Sequence, residues 1–288
     1  MDEPVVIEAH DSHCNDVEFT EDSKTLVSAG MDNVVKLWSV GDWKHKKTFE
    51  GHEKSVNSLS FSPDGKTLVT GSTDESLNLW SFPGGKLKES RPRSASGAQV
   101  SSDGKYIASV IRHKIKVWDY ASGEELFKVD DHDKNRGVMF SPDSKTLFTS
   151  GLSDHISMWS VPDGEHLGRL EGHKKVVMSM KFAKGGNFFA STGYEGTLRV
   201  WFAEDWEEVM AIPLDFRGGL LSLAISPDNK TIAISDSHRI ILVAVEKGAI
   251  EEEIELKPKG VYALDFSPDG KWLANSAADG RVRVWATA

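Results

Sequence analysis

The sequence predicts an all-β chain in which one four-stranded unit is copied seven times and closed into a ring. Three observations carry that expectation. Tryptophan recurs about every 41 residues, at Trp38, Trp80, Trp118, Trp159, Trp201 and, after one missing beat, Trp285. Ahead of each Trp, at a fixed distance, stands an apolar residue, followed in most copies by Ser-Pro-Asp or a close variant. Phe19 to Trp38, Phe61 to Trp80, Phe140 to Trp159, Phe182 to Trp201 and Phe266 to Trp285 each span 19 residues, and Val100 to Trp118 spans 18. Between these marks lie short runs rich in β-branched and apolar residues. Self-similarity at such a period is the signature of one supersecondary unit repeated along the chain.

The elements of one unit follow in order. Val56-Asn57-Ser58-Leu59-Ser60-Phe61 reads as a first strand. Ser62-Pro63-Asp64-Gly65, like Ser267-Pro268-Asp269-Gly270, suits a type I turn, because Pro presets φ at the second position, Asp tolerates the third and Gly takes the fourth. Leu68-Val69-Thr70 continues as a second strand. After a loop bearing Asp74 comes a third, Leu77-Asn78-Leu79-Trp80, and a fourth such as Lys46-Lys47-Thr48-Phe49 completes a copy. Four short antiparallel strands per repeat make one blade of a β-propeller. Copies one and two are in register at a spacing of 42: His10, Phe19, Asp32 and Trp38 map onto His52, Phe61, Asp74 and Trp80. In copy six, Ile225 plus 19 residues falls on Ala244, so that copy has lost its Trp. Copy seven stops at Trp285-Ala286-Thr287-Ala288, before a fourth strand, whereas Pro4-Val5-Val6-Ile7-Glu8 is a surplus strand at the other end. The N-terminal strand is therefore expected to pair into the last blade and close the ring. Residues 1–288 are expected to form a single propeller domain of seven repeats.

With these residues in place, the chain resembles the WD-repeat (β-transducin-like) family over its whole length. The resemblance implies a hydrogen-bonded tetrad in each blade, in which a loop Asp holds a His, the His holds a strand Ser or Thr, and that hydroxyl meets the Trp N–H. Buried indole and imidazole N–H groups need such partners. His10, Ser28, Asp32 and Trp38 match, as do His52, Thr70, Asp74 and Trp80. His173, Ser191, Glu195 and Trp201 match with Glu for Asp. His132, Thr149, Asp154 and Trp159 match with Asp154 displaced by one residue. Copy seven keeps Asp279 and Trp285, with Lys257 and Asn275 in place of His and Ser. Copies three and six lack the tetrad and are expected to be less rigid or held by other contacts.

Composition sets bounds. The chain is 39% hydrophobic and 27% charged, ordinary for a globular protein. No apolar run reaches the ~18 residues of a membrane helix, and Met1-Asp2-Glu3-Pro4 lacks the basic and apolar stretches of a secretory leader. The only cysteine, Cys14, aligns with Val56 on an inward strand position, which fits a reducing compartment. A cytoplasmic location is expected, with the nucleus as the alternative. The net charge of −10 argues against nucleic acid as a partner of the molecule as a whole.

No catalytic signature is present. There is no nucleophile elbow and no glycine-rich phosphate loop between a strand and a helix, since Gly84-Gly85 and Gly185-Gly186 read as turns. His13, His45, His113, His155, His166 and His238 are scattered, with no pair at metal-ligand spacing. No enzyme activity, cofactor or metal is expected. The run Glu251-Glu252-Glu253 falls on an outer strand, where charge guards an exposed edge.

What remains is surface. The resemblance implies that the His- and Asp-bearing loops share one face, the top. Two sectors of that face are candidates for partner binding. Met31, Met178, Tyr194, Leu221 and Tyr262 form an apolar sector suited to a partner side chain or short peptide. Arg91, Arg93, Arg112, His113, Lys114, Lys134 and Arg136 form a basic sector of blades three and four, suited to an acidic or phosphorylated segment or a nucleic acid. Ser94 and Ser96 sit in a basic-directed kinase context within it. The expected function is a non-catalytic scaffold or adaptor, monomeric on its own, joining other proteins or peptides in a larger complex. Recognition of an acidic segment or nucleic acid by the basic sector is the alternative, and a propeller enzyme the remote one.

Overall fold

A computed structural model describes residues 1, 3–92, 95, 97–111, 114–129, 137–215, 222–257 and 260–287. Its strands form seven four-stranded antiparallel sheets arranged as a β-propeller, with no helix among the described residues. Blade one consists of Cys14–Phe19, Thr25–Gly30, Val35–Ser39 and His45–Phe49. Blades two to six follow in chain order, beginning at Val56–Phe61, Gly97–Val100, Gly137–Phe140, Val177–Phe182 and Ser222–Ile225. Blade seven takes Val261–Phe266, Trp272–Ala277 and Arg281–Ala286 from one end of the chain and Val5–Glu8 from the other. The clasp is antiparallel, with Val5 opposite Val284 and Ile7 opposite Val282.

The core is divided among the seams. One apolar cluster fills each of the seven blade–blade interfaces. The seam between blades seven and one holds Ile7, Ala274, Val282 and Val284 against Cys14, Val17, Phe19, Leu26 and Trp38, so burial as well as strand pairing closes the ring. Cys14 is fully buried there, and burial pushes its thiol up.

The inner strands are also tied sideways. At each of five seams, a polar side chain on one inner strand accepts a backbone N–H of a neighbouring one. Asp16 accepts from Leu59 at 2.9 Å, Ser60 from Val100 at 3.0 Å, Gln99 from Phe140 at 2.9 Å, Ser222 from Leu264 at 3.2 Å and Asp265 from Phe19 at 2.8 Å. These bonds satisfy backbone donors that the ladder within a blade leaves free. Asp16, Glu18 and Asp265 lie close together on the channel wall, and Lys181 of blade five reaches to 4.0 Å from Asp265. Burial pushes Asp16 up to about 7 and Glu18 up to about 8.

The bottom turns carry the same device in six blades. The hydroxyl of Thr20, Ser62, Ser101, Ser141, Ser226 or Ser267 donates to the Asp two residues on at 2.6–2.7 Å. The carboxylate then accepts a backbone N–H, as Asp64 does from Lys66 at 3.0 Å. These bonds hold Asp64 below the usual carboxylate range. Residue four of the turn has φ near +65°, as at Gly65, and Ser23, Ser144 and Asn229 take the same left-handed conformation elsewhere. Blade five is the exception. Its turn is Ala183-Lys184-Gly185-Gly186, and Lys184 sits 3.6 Å from Glu21 of blade one.

Candidate interaction site

The top of each blade is built around its polar lock. In blade one, His10 Nδ1 lies 2.8 Å from Asp32, His10 Nε2 2.8 Å from Ser28 Oγ, and Trp38 Nε1 donates to the same Oγ at 3.0 Å. Blade two repeats this with His52–Asp74 at 3.0 Å, His52–Thr70 at 2.7 Å and Trp80–Thr70 at 2.9 Å. Blade five does so with His173–Glu195 at 2.5 Å, His173–Ser191 at 2.7 Å and Trp201–Ser191 at 2.8 Å. The carboxylate can only accept, so the imidazole carries its proton on Nδ1. Its Nε2 then accepts the hydroxyl proton, and the hydroxyl oxygen accepts the indole N–H. Burial lowers His52 and His173, which keeps the rings neutral as this chain of bonds requires. Burial opposes ionisation of Asp74, but bonds from Ser76, the Glu53 N–H and His52 outweigh it and hold the carboxyl at about 2.

The remaining blades are locked differently. In blade four Trp159 donates to Thr149 at 3.0 Å; Asp154 lies 3.6 Å from its neighbour His155, and His132 falls outside the described residues. Blade three, expected to lack the tetrad, has the Trp–hydroxyl bond alone among the described residues: Trp118 donates to Ser109 at 2.9 Å. Its second-to-third strand loop is shorter, so the serine stands nine rather than ten residues before the Trp. Blade six has no tetrad residues. Instead, the buried Arg239 guanidinium lies 3.1 Å from Asp236 and 2.5 Å from Glu253, and donates to the Asp215 carbonyl. Blade seven follows the same solution, with Arg283 at 2.6 Å from Asp279.

These locks set the rim of the channel mouth. In blades one, two, five and seven the residue before the loop carboxylate hydrogen-bonds to the loop that leads into its own inner strand. Met31 donates to the His13 carbonyl at 2.8 Å, Thr73 to Ser55 at 2.9 Å, Tyr194 to Val176 at 2.8 Å and Ala278 to Gly260 at 2.9 Å. Met31 and Tyr194 thereby stand on one circle, 48% and 44% exposed. Lys175 Nζ lies 6.0 Å from the Tyr194 ring. Tyr262 is half-buried, its hydroxyl 3.1 Å from His13 Nδ1. Met178 is half-buried against the cluster between blades five and six. Leu221 lies outside the described residues. Leu152, 41% exposed on the corresponding loop of blade four, was not expected from sequence, because that loop is out of register with the tetrad pattern.

The basic sector is altered. Arg93, Arg112, His113, Lys134 and Arg136 lie outside the described residues, as do Ser94 and Ser96. Lys114 opens the strand Lys114–Asp119 and is half-buried. Arg91 corrects the expectation that it lies in the loop leading into blade three. It ends the outer strand Lys86–Arg91, is buried, and forks onto Glu89 at 2.7 and 3.0 Å. Its guanidinium also donates to the Tyr120 carbonyl at 3.3 Å and packs on Gly123, on the outer side of the ring. These partners engage its Nε and Nη2 and turn the side chain toward the outer strands.

The other Trp side chains pack. Trp43 lies edge-on to Trp272 with centroids 5.1 Å apart, and Trp206 edge-on to Phe148 at 4.9 Å. One grouping escaped the sequence spacing: Asp154, His155 and Glu171 each offer a ligand atom within 4.8 Å of the others.

Comparison with known proteins agrees with this architecture. The family model "WD domain, G-beta repeat" matches residues 3–39, 43–81, 164–201 and 254–286. The chain is 26% identical over 196 residues to human Pre-mRNA-processing factor 17, covering 62% of this chain and 33% of that protein. It is 26% identical over 176 residues to Periodic tryptophan protein 2 of Arabidopsis thaliana, covering 60% of this chain and 19% of the relative. It is 22% identical over 290 residues to Autophagy-related protein 16 of Arabidopsis thaliana, covering 97% of this chain and 57% of the relative. The chain thus spans between about a fifth and somewhat over half of the length of these relatives. The matched repeats, the seven closed blades and the Trp-centred locks together show that this chain belongs to the WD-repeat family.

Proposed function

We propose that this propeller is a non-catalytic scaffold that docks a partner protein or an extended peptide segment on the top of the ring. The observation that carries the reading is the placement of Met31 and Tyr194 at equivalent rim positions, both close to half exposed, by the same backbone hydrogen bond. Apolar and aromatic side chains held out by rigid backbone lose little entropy on contact, which suits them to anchor a partner. Lys175 above Tyr194 adds a cation beside the aromatic face. The relatives bear names from pre-mRNA processing and from autophagy. Such a spread fits a docking platform reused in different assemblies. The described part of the basic sector offers less support, because Arg91 is already paired. No helix of the described residues is long and apolar enough to cross a membrane. The buried, unpaired Cys14 fits a reducing compartment, cytoplasmic or nuclear.

The test replaces Met31 with Ser and Tyr194 with Ala together and compares partners recovered by affinity purification and mass spectrometry. Phe202→Ser, an exposed apolar residue ending a third strand, serves as the control. The double variant is expected to melt like wild type and lose partners that the control retains. An unchanged partner set would overturn the reading.

A further inference from the structure

The second-to-third strand loop of blade four differs from its sisters in a way that changes its chemistry. In blades one, two and five the loop carboxylate turns inward onto a top-loop imidazole at 2.8, 3.0 and 2.5 Å. In blade four the carboxylate stands one position later, and the Asp154 side chain is 60% exposed. The next residue, His155, turns inward instead, its side chain only 8% exposed and its Nδ1 3.6 Å from Asp154 Oδ1. Glu171, just beyond the outer strand His166–Leu170, approaches from the connection to blade five. One ligand atom from each of the three lies within 4.8 Å of the other two.

Two carboxylates this close repel one another unless a cation lies between them. Among the described residues, no ammonium or guanidinium is in ion-pair contact with either Asp154 or Glu171. A buried imidazole nitrogen beside two carboxylate oxygens is a mixed donor set. It favours a borderline divalent ion such as Zn²⁺ or Co²⁺ over Mg²⁺, which prefers oxygen alone. We propose that Asp154, His155 and Glu171 bind one divalent transition-metal ion on the top of the ring, at the seam of blades four and five. Bond lengths of about 2.0–2.2 Å place tetrahedral ligand atoms about 3.3 Å apart. The carboxylates therefore close in on the ion by rotamer changes, which their exposure permits, while His155 is held by its surroundings. Three protein ligands leave a position for water or for a side chain of a bound protein.

The probe is Co²⁺, followed by its d–d absorption on tag-free protein, with Zn²⁺ calorimetry in parallel. Wild type is expected to take up one equivalent saturably. Asp154→Asn and Glu171→Gln change exposed side chains and leave the fold intact, and each is expected to weaken binding tenfold or more. His155→Gln should abolish the absorption change, but this buried site carries a folding risk, so the two surface variants decide the matter. Glu50→Gln, the sister position of Glu171 in blade one, should bind like wild type. Failure to saturate, or equal affinity in wild type and the Asp154→Asn/Glu171→Gln double variant, overturns the site.

Discussion

Blades two and six present the same four strands to the ring but are locked by different chemistry. Blade two uses the chain Asp74–His52–Thr70–Trp80, in which a neutral imidazole, a hydroxyl and an indole run inward from one carboxylate at the rim. Blade six has none of these residues and uses a buried ion pair, Asp236 with Arg239, extended to Glu253. Their apolar seams are nonetheless alike, each a close-packed cluster shared with the next blade. The fold therefore demands that polar groups at the top of a blade be satisfied, and is indifferent to which group does it. The two solutions differ in what failure costs. Deleting one partner of a buried ion pair strands a charge, whereas breaking the chain at its hydroxyl strands only dipoles.

The largest effect should therefore come from blade six. Arg239→Met leaves the Asp236 carboxylate, 1% exposed, without its cation and is expected to destabilise by about 3–5 kcal/mol in chemical denaturation. A loss below about 1 kcal/mol would mean that the ion pair is replaceable and that the two locks fail at similar cost. Next comes Thr70→Val in blade two, which orphans both Trp80 Nε1 and His52 Nε2 and should cost about 1–3 kcal/mol. Ser109→Ala in blade three breaks the bond from Trp118 and a long one, 3.4 Å, to the Lys116 carbonyl, so its cost should be the smaller of the two, about 1 kcal/mol. Equal losses in these two variants would show that the imidazole link adds nothing.

A dependence on pH separates the channel from the tetrads. Asp16 and Glu18 ionise at about 7 and 8 in the folded ring, against ordinary values of 3.8 and 4.5. The folded state therefore holds their protons longer than the unfolded chain does. The stability they contribute is complete below about pH 4, declines as the pH rises, and is gone once it passes about 8. Asp265 and Lys181 face the same cluster, and the amide variants Asp16→Asn and Glu18→Gln keep an oxygen for the backbone bonds. Combining both should flatten the melting temperature between pH 6 and 9. Asp74, held at about 2, behaves oppositely: its contribution is present above the ordinary 3.8 and is lost only as the pH falls through 2. A wild-type melting temperature that stays constant from pH 5 to 9 would remove the channel carboxylates from this account.

The ring was legible because its determinants are local and repeated. The Trp beat, the Ser-Pro-Asp turns and the surplus strand at residues 5–8 all sit within single copies of the unit. The site was less legible because its determinants join copies. Arg91 reads as an exposed cation in sequence, but Glu89 and the Tyr120 carbonyl of the next blade claim it. Arg239 carries no motif, since its partners at 215, 236 and 253 are set by the packing of blade six. Asp154 and His155 are adjacent in the chain, but nothing in their spacing announces Glu171. A one-residue slip of the loop carboxylate was the available signal. In blades one, two and five the carboxylate stands six residues before the Trp, and in blade four it stands five before.

The pairing of residues 5–8 with 281–284 has a consequence for biosynthesis. Residues 5–8 leave the ribosome well before their partner strand and stay unpaired until residues 281–284 have followed. Until then blade one presents Val17, Phe19, Leu26 and Trp38 without a neighbour on that side, a sticky surface on every nascent molecule. The core is complete only once the strand Arg281–Ala286 has been made. A chain stalled before its last strand is therefore a natural client for chaperones.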